Sequence, residues 1–426
     1  MVVPWGIDSM QHFDLIVVGG GPAGFFGALR FASLCPQASV LILEKDENIL
    51  QKLLISGGGR CNITHDYDDP QELIKFYPRG GKALLNAFYH FGPQDLLAWF
   101  VERGLNFYCD PSGCYFPVTD KAQSVVDVLV KEADNLGVRT WMRAGMEQLT
   151  RSPETRGYDV RLTDGQQISA PYVLVATGGS RQAFKVLQAL GIAITKPIPS
   201  LFAFKLQDPV LSELAGITVD MVELSLPGTP FRQSGALLIT HRGLSGPAVI
   251  NLSAWAVRIL HDAGYRYELV IDWLAGRGPA DRSLAVLKET KQALGSKQVG
   301  KSSPFDEIPD RLWQGLLCRA GLSTDIRWGD LSLPQLGSVN HELRRGNYLI
   351  TGRDAHRQEY VTCGGVDLKE VDLSGFESRS FTGLCFAGEV LDIDGLTGGY
   401  NLQNCWTTGW IAGERLAKCF ENTPGL

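Results

Sequence analysis

Asp14-Leu-Ile-Val-Val-Gly-Gly-Gly-Pro-Ala-Gly24 decides the fold. A short apolar run ends in glycines, and helical apolar spacing continues from Pro22 to Ala32, so the text reads as strand, tight turn and helix. Ser39-Val-Leu-Ile-Leu-Glu44 is a second buried strand, which closes a βαβ unit of about 30 residues and implies a right-handed crossover in a parallel sheet. Gly19-x-Gly21-x-x-Gly24 stands where a dinucleotide motif requires it. The first glycine makes the turn, the second lets backbone approach a pyrophosphate, and the third, with Ala28, lets helix and strand pack closely. Pro22 and Ala23 open a helix whose N-terminus offers N–H groups and about half a positive charge. Glu44, with Lys45 beside it, ends the second strand where a carboxylate can accept hydrogen bonds from a ribose. This pattern alone fits NAD and FAD equally.

Working outward, residues 83–103 and 123–136 have helical period, and residues 105–117 read as a hairpin turning at Asp110-Pro-Ser-Gly113. From 138 to 175 short strands alternate with turns at Arg156-Gly157 and Asp164-Gly165, an antiparallel meander laid on the parallel sheet. After Pro197 the character changes. Strand-like runs at 201–206, 221–226, 236–240 and 267–271 precede helices over 281–320. Residues 197–352 are therefore expected to be an inserted domain with a β part and a helical part near 275–330, set between FAD-domain or NAD-domain halves at 12–196 and 353–420.

Phe386-Ala-Gly-Glu-Val-Leu-Asp-Ile-Asp-Gly-Leu-Thr-Gly-Gly-Tyr-Asn-Leu-Gln403 is a strand, a glycine loop and a helix start. A second helix N-terminus aimed at the same ligand suits the electron-rich edge of a flavin, and NAD binding has no need of it. Glycine makes up 48 of the 426 residues, about 11% against ~7% in an average chain, and it clusters at several distant points, as expected where backbone approaches one large ligand from several sides.

With these residues in view, the sequence resembles the bacterial FAD-binding flavoproteins of the aminoacetone oxidase family. The resemblance is carried by residues 14–32, Ile55-Ser-Gly-Gly-Gly-Arg-Cys-Asn-Ile-Thr64, Ala176-Thr-Gly-Gly179 and the 387–403 block. It implies a doubly wound Rossmann-like α/β FAD domain of the two-dinucleotide-binding-domain type, interrupted by a β-barrel with a small helical domain. It further implies that Glu44 holds the adenosine ribose, that Lys52, Gly59, Arg60, Cys61 and Asn62 pass near the isoalloxazine, and that Thr177 and Gly178 lie on the adenosine side, with Gly179 also at the cofactor. Gly388, Glu389, Asp392, Gly399, Tyr400, Asn401, Leu402 and Gln403 would line the ribityl chain and pyrimidine.

No catalytic residue is assigned by these patterns, and three weaker candidates stand beside plain structural readings. Arg60 could lower the thiol pKa of Cys61 and make it a thiolate by the flavin, or Cys61 is a small residue packed beneath FAD. His65 could donate a proton or be an exposed loop histidine, and Tyr400 could touch the ring or merely start the helix. Asp392 and Asp394 could be acid or base groups, or serve the ribityl hydroxyls and the helix cap. Cys109 and Cys114 lack a second pair at ligand spacing, so no metal is expected.

Nine scattered cysteines without a C-x-x-C pair suit a reducing compartment, the N-terminus has no leader pattern, and no stretch is apolar enough to span a bilayer, so a cytoplasmic location is expected. A net charge of −6 without a basic block gives no footprint for nucleic acid. No second G-x-G-x-x-G follows a strand, so NAD(P)H would dock only transiently over the flavin, and the insertion would roof the substrate pocket.

The expected activity is an FAD-dependent oxidoreductase moving a hydride between flavin and a small organic substrate, either an amine or ketone oxidised with O₂ or an enone reduced with NAD(P)H. The alternatives are an RNA-modifying flavoprotein like the folate-dependent tRNA methyltransferases, and a non-catalytic flavin-binding protein. Nothing in the pattern sets the oligomeric state.

Overall fold

The computed structural model describes residues 10–152, 157–276, 278–354 and 361–422. They form two compact units, divided between Pro197 and Ile198 and again before Val361.

The first unit is built on a parallel sheet. Its strands are β1 (Leu15–Val18), β2 (Val40–Leu43), β3 (Arg139–Trp141), β7 (Tyr172–Val175) and β14 (Leu384–Phe386), in the order β14-β7-β1-β2-β3, with two short antiparallel strands at the β14 edge. Leu15 pairs with both Val40 and Tyr172, and all four residues of β1 are buried, which is why the strand reads as an unbroken apolar run. Helix α1 (Pro22–Leu34) leaves the first turn and crosses the last helix, α8 (Tyr400–Glu421). The crossing is close enough that a Cβ on Gly413 would lie 2.5 Å from the Gly27 carbonyl oxygen, and one on Gly409 2.5 Å from that of Ala23.

Strands β4 (Met146–Arg151), β5 (Tyr158–Leu162) and β6 (Gln167–Ala170) make the expected antiparallel meander, extended by Gln11–His12 parallel to β6. Its Asp164-Gly165 turn is present, with Gly165 at φ 89°, whereas Arg156 of the other expected turn lies outside the described residues. The 105–117 hairpin is also formed, from Phe107–Cys109 and Cys114–Pro117. The helix expected over 83–103 is two helices, Gly81–His90 and Pro93–Val101, because Gly92 caps the second and Pro93 cannot continue the first. The short helix α2 (Gln51–Ile55) and the longer α3 (Ala122–Asn135) complete this unit as far as the site is concerned.

The second unit holds a closed antiparallel barrel of β8 (Ala203–Leu206), β9 (Thr218–Ser225), β10 (Arg232–Thr240), β11 (Gly243–Ser245), β12 (Tyr267–Asp272) and β13 (Gly346–Asp354), in the order β8-β11-β10-β9-β12-β13. Strand β13 runs to Asp354, past the boundary expected at 352. Helix α4 (Pro247–Trp255) belongs to the barrel unit, and α5 (Ala280–Ala293), α6 (Asp310–Arg319) and α7 (Leu333–Arg345) form its helical part. Helix α7 was not anticipated from sequence, because its polar run Pro-Gln-Leu-Gly-Ser hides the apolar face of Leu336, Val339 and Leu343.

Candidate functional site

Four glycine-rich segments of the first unit converge. At the first, Gly19 holds φ 114° and a Cβ there would lie 2.4 Å from the Ala176 carbonyl oxygen, so the turn and the Thr177 loop are pressed together. A Cβ on Gly24 would sit 2.0 Å from the Gly19 carbonyl oxygen, whereas one on Gly21 would meet nothing within 4 Å. Gly24 is therefore fixed by packing, whereas the space beside Gly21 is open. The first N–H groups of α1, from Ala23 and Gly24 after the donor-less Pro22, have no acceptor within the helix, and that of Ala23 is given to the Cys405 thiol. The Glu44 carboxylate accepts from the Gly20 N–H at 2.9 Å and from the Asp46 N–H at 3.0 Å, which orients it at the end of β2. Lys45 does not join the cluster; its exposed ammonium turns to Asp46 at 3.8 Å.

At the second and third segments, Lys52 from α2 forms a 2.8 Å ion pair with Glu389, whose other carboxylate oxygen accepts from the Thr362 N–H at 2.8 Å. Both charged groups lie against Gly178, and Gly179 packs on Thr362. The Glu389 carboxylate holds the Lys52 ammonium above its ordinary pKa. Gly388 packs on Ala23 of α1 and donates its N–H to Thr408 Oγ1 at 2.8 Å. The sequence-derived residues Ala23, Lys52, Thr177, Gly178, Gly179, Gly388 and Glu389 thus stand together.

The fourth segment is the turn from Ser56 to Asn62. Gly57, Gly58 and Gly59 all hold positive φ (56°, 69° and 87°), and the side of Gly58 away from the chain is open space. Gly399, at φ 90°, meets this turn so closely that a Cβ would lie 2.8 Å from Asn62 Oδ1 and from the Thr64 backbone. Helix α8 is then locked to the turn by Thr64 Oγ1 donating to Gln403 at 2.6 Å and by the Trp406 indole donating to the Ile63 carbonyl at 3.1 Å.

At Arg60 and Cys61 the structure decides between the two readings in favour of a packed residue. The Arg60 guanidinium lies 4.2 Å over the Phe116 ring, and Cys61 is wholly buried. Burial, partly offset by a hydrogen bond with Ser56, pushes the Cys61 thiol up to about 12, so it is not a thiolate. None of the nine cysteines forms a disulfide, and among the described residues no three His, Cys, Asp or Glu gather as a metal-ligand set.

The loop before α8 is fastened from several sides. Arg79 forms a two-pronged ion pair with the fully buried Asp394, Tyr77 donates to the Tyr400 carbonyl at 2.6 Å, and the Asn401 amide both donates to and accepts from Gly395 at 2.9 Å. Asp394 is thus an anchor, and the Asn401 side chain is used in closing the loop. What these two positions leave to a ligand is the α8 N-terminus, where the backbone of Tyr400, Asn401 and Leu402 has no acceptor inside the helix. Asp392 is half-buried nearby, with its N–H given to the Val366 carbonyl at 3.0 Å.

His65 and Tyr400 are brought together, with ring centroids 5.0 Å apart. Tyr67, Phe76 and Tyr77 complete an aromatic cluster that sequence reading missed, since no local pattern links 67 and 76 to 400. Burial holds His65 below the ordinary histidine pKa and Tyr400 above the ordinary tyrosine value.

Whether these residues suit a flavin dinucleotide can be tested on two buried polar atoms. Asn62 Oδ1 and Thr177 Oγ1 are buried without a hydrogen-bond partner, one at the open glycine turn and the other beside the Gly19 turn. Buried polar groups are nearly always paired, so both mark places where a polar ligand would complete the structure. Two helix N-termini and open space at Gly21 and Gly58 accompany them, and the donor set fits.

Residues 13–415 match the HI0933-like protein Rossmann domain. The chain belongs to this family. The HI0933-like chain has the Rossmann-type FAD-domain fold of flavoprotein oxidoreductases, interrupted by a six-stranded barrel with helices. It is 29% identical to the ribosomal RNA dihydrouridine synthase of Escherichia coli, over 96% of this chain and 98% of that one. It is 28% identical to the 3-dehydro-bile acid delta(4,6)-reductase of Clostridium scindens, over 94% and 98%. Among solved structures, 3-ketosteroid delta1-dehydrogenase from Sterolibacterium denitrificans shares the fold at TM-score 0.52 and 12% identity, over 96% of this chain and all of that one. The match establishes the HI0933-like family and leaves the aminoacetone oxidase likeness as a resemblance. Among the described residues, no helix is long and apolar enough to cross a membrane.

Proposed function

We propose that this protein binds FAD and reduces a C=C bond conjugated to a carbonyl, with NAD(P)H as a transient reductant. The observation that carries the reading is the convergence of four glycine-rich segments on the unpartnered Asn62 and Thr177 oxygens. In this reading Gly19, Gly21, Pro22, Ala23 and Gly24 receive the pyrophosphate, Glu44 the adenosine ribose, and Thr177 to Gly179 the adenosine side. The glycine turn through Asn62, together with Gly388, Glu389, Asp392 and the α8 N-terminus from Gly399, surrounds the ribityl chain and ring.

FAD supplies hydride transfer when bound. The chain's own work is to orient the cofactor, to place the positive end of α8 where negative charge develops, and to hold a flat substrate beside the Asn62 turn. The stoichiometry closes simply: NAD(P)H is oxidised to NAD(P)⁺, its hydride reaches the β-carbon of the substrate, and a proton from solvent reaches the α-carbon. The bile acid reductase supports this chemistry, since its name describes reduction of a ring carrying an oxo group. Anaerobic titration with NADH and NADPH, followed by 2-cyclohexen-1-one, tests it. Bleaching of flavin bands and their return with the enone is expected. Absence of flavin after reconstitution, or reduced flavin that no conjugated alkene reoxidises, defeats it.

A second reading takes the conjugated bond to be that of uracil within RNA. The near full-length match to ribosomal RNA dihydrouridine synthases of Escherichia coli and Haemophilus influenzae favours it, since saturating uracil is the same chemistry. Reoxidation of the reduced flavin by a uridine-bearing ribosomal transcript, with salt-sensitive binding, would separate it from the first.

A further inference from the structure

Tyr400 and Tyr77 are 3% and 4% exposed, as members of a core are. His65, Tyr67 and Phe76 belong to the same cluster and are only half-buried. Tyr67 lies 5.1 Å from His65 at an interplanar angle of 23° and 4.9 Å from Phe76. The cluster does not bury all its rings. It leaves three of them partly open to solvent, beside the turn where Gly399 meets Asn62 and Gly398 meets His65.

We infer that His65, Tyr67 and Phe76 form a stacking platform for a flat, conjugated six-membered ring, and that loss of planarity on reduction ejects the product. The inference deepens the reductase reading and rests on it. The platform is rigid from behind. Phe76 lies flat on Tyr400 at 4.8 Å and 3°, and His65 is held by Cys114 Sγ at 3.6 Å and by the Gly113 backbone, where a side chain would collide with the imidazole. Rings fixed in advance lose little freedom when a ligand arrives. Stacking is a face contact, and each base laid on an aromatic side chain gains appreciable affinity whatever its hydrogen-bonding edge. Saturating one C=C turns two flat carbons tetrahedral. The ring puckers, part of the face leaves contact, and the saturated product is held less tightly than the substrate.

Saturation-transfer NMR on the oxidised, FAD-loaded protein without reductant tests this, with uridine and 5,6-dihydrouridine as probes. Uridine is expected to bind at least fivefold more tightly than dihydrouridine. Tyr67→Leu and Phe76→Leu should lower uridine affinity at least fivefold and erase the preference, while Tyr67→Phe, which keeps the ring, retains both. Flavin content of each variant shows that the fold is intact. Equal binding of the two probes, no binding of uridine, or unchanged affinity in both leucine variants would overturn the platform. Uridine binding that discriminates planarity in a protein without turnover supports the platform and defeats the reductase reading. Turnover with an unchanged KM in Tyr67→Leu does the reverse.

Discussion

Lys52 and Glu389 stand 337 positions apart in the chain and meet in a 2.8 Å ion pair that lies against Gly178. The pair ties α2 to the loop after β14 and spans two of the four glycine segments. Lys52 is largely exposed and Glu389 is not, so the two ends are unequal. Glu389→Ala also leaves the Thr362 N–H without its acceptor. A charged hydrogen bond contributes about 1.5–3 kcal/mol, so this substitution is expected to weaken FAD binding roughly tenfold or more, and Lys52→Ala by much less. Fluorescence titration of the apoprotein with FAD measures both.

Gly21 and Gly24 should fail differently. Gly21→Ala places a methyl in space that no protein atom occupies, so the thermal midpoint should stay near that of the parent apoprotein while flavin is lost. Gly24→Ala drives a methyl into the Gly19 carbonyl and should lower the midpoint as well. Melting curves with and without added FAD distinguish the two.

Asp394→Ala strands Arg79, which is itself largely buried. Removing one member of a buried ion pair costs about 3–5 kcal/mol, so unfolding should occur several degrees earlier. The loop before α8 should also become sensitive to limited proteolysis.

Cys61→Ser should leave flavin reduction unchanged, because a thiol at about 12 is not a nucleophile near neutrality. Alkylation at pH 8 followed by peptide mapping should label the exposed Cys109 and Cys318 and spare Cys61.

Burial lowers the His65 pKa in the folded state below its ordinary 6.5. Below that ordinary value the unfolded chain takes up the proton before the folded one does, so acidification favours unfolding. The contribution of the neutral ring is present above pH 6.5 and is lost as the pH falls from there toward the folded value. Comparing midpoints of the parent and His65→Gln between pH 5 and 8 isolates it. The parent should lose more stability than the variant on the acid side, and parallel curves would exclude the effect.

The parts of this architecture written in contiguous residues were legible. The 14–44 βαβ unit, the 105–117 hairpin and the strand and loop leading to α8 each carry their turn chemistry and periodicity in one short stretch. Pairings across long separations were not. Arg79 gives no sign in sequence that it will meet Asp394, nor do Tyr67 and Phe76 that they will stand beside Tyr400, because those meetings follow from where the sheet sends each loop. At Cys61 two readings stood side by side in the sequence, and the packed one holds. Its neighbour Arg60 suggested an electrostatic role that the turn cancels by directing the guanidinium onto Phe116.

The crossing of α1 with α8 has a consequence for biosynthesis. Arg30 of α1 donates to Glu414 of α8 at 3.0 Å across 384 residues of chain. At 5–20 residues per second, a ribosome needs roughly 20 to 80 seconds to make the second partner after the first. Throughout that interval the glycine-lined face of α1 has emerged without the helix that covers it, while the whole barrel unit is being made. Helix α8 therefore joins α1 only after the barrel unit has been made, and removing its last turns should yield nascent chains that chaperones retain.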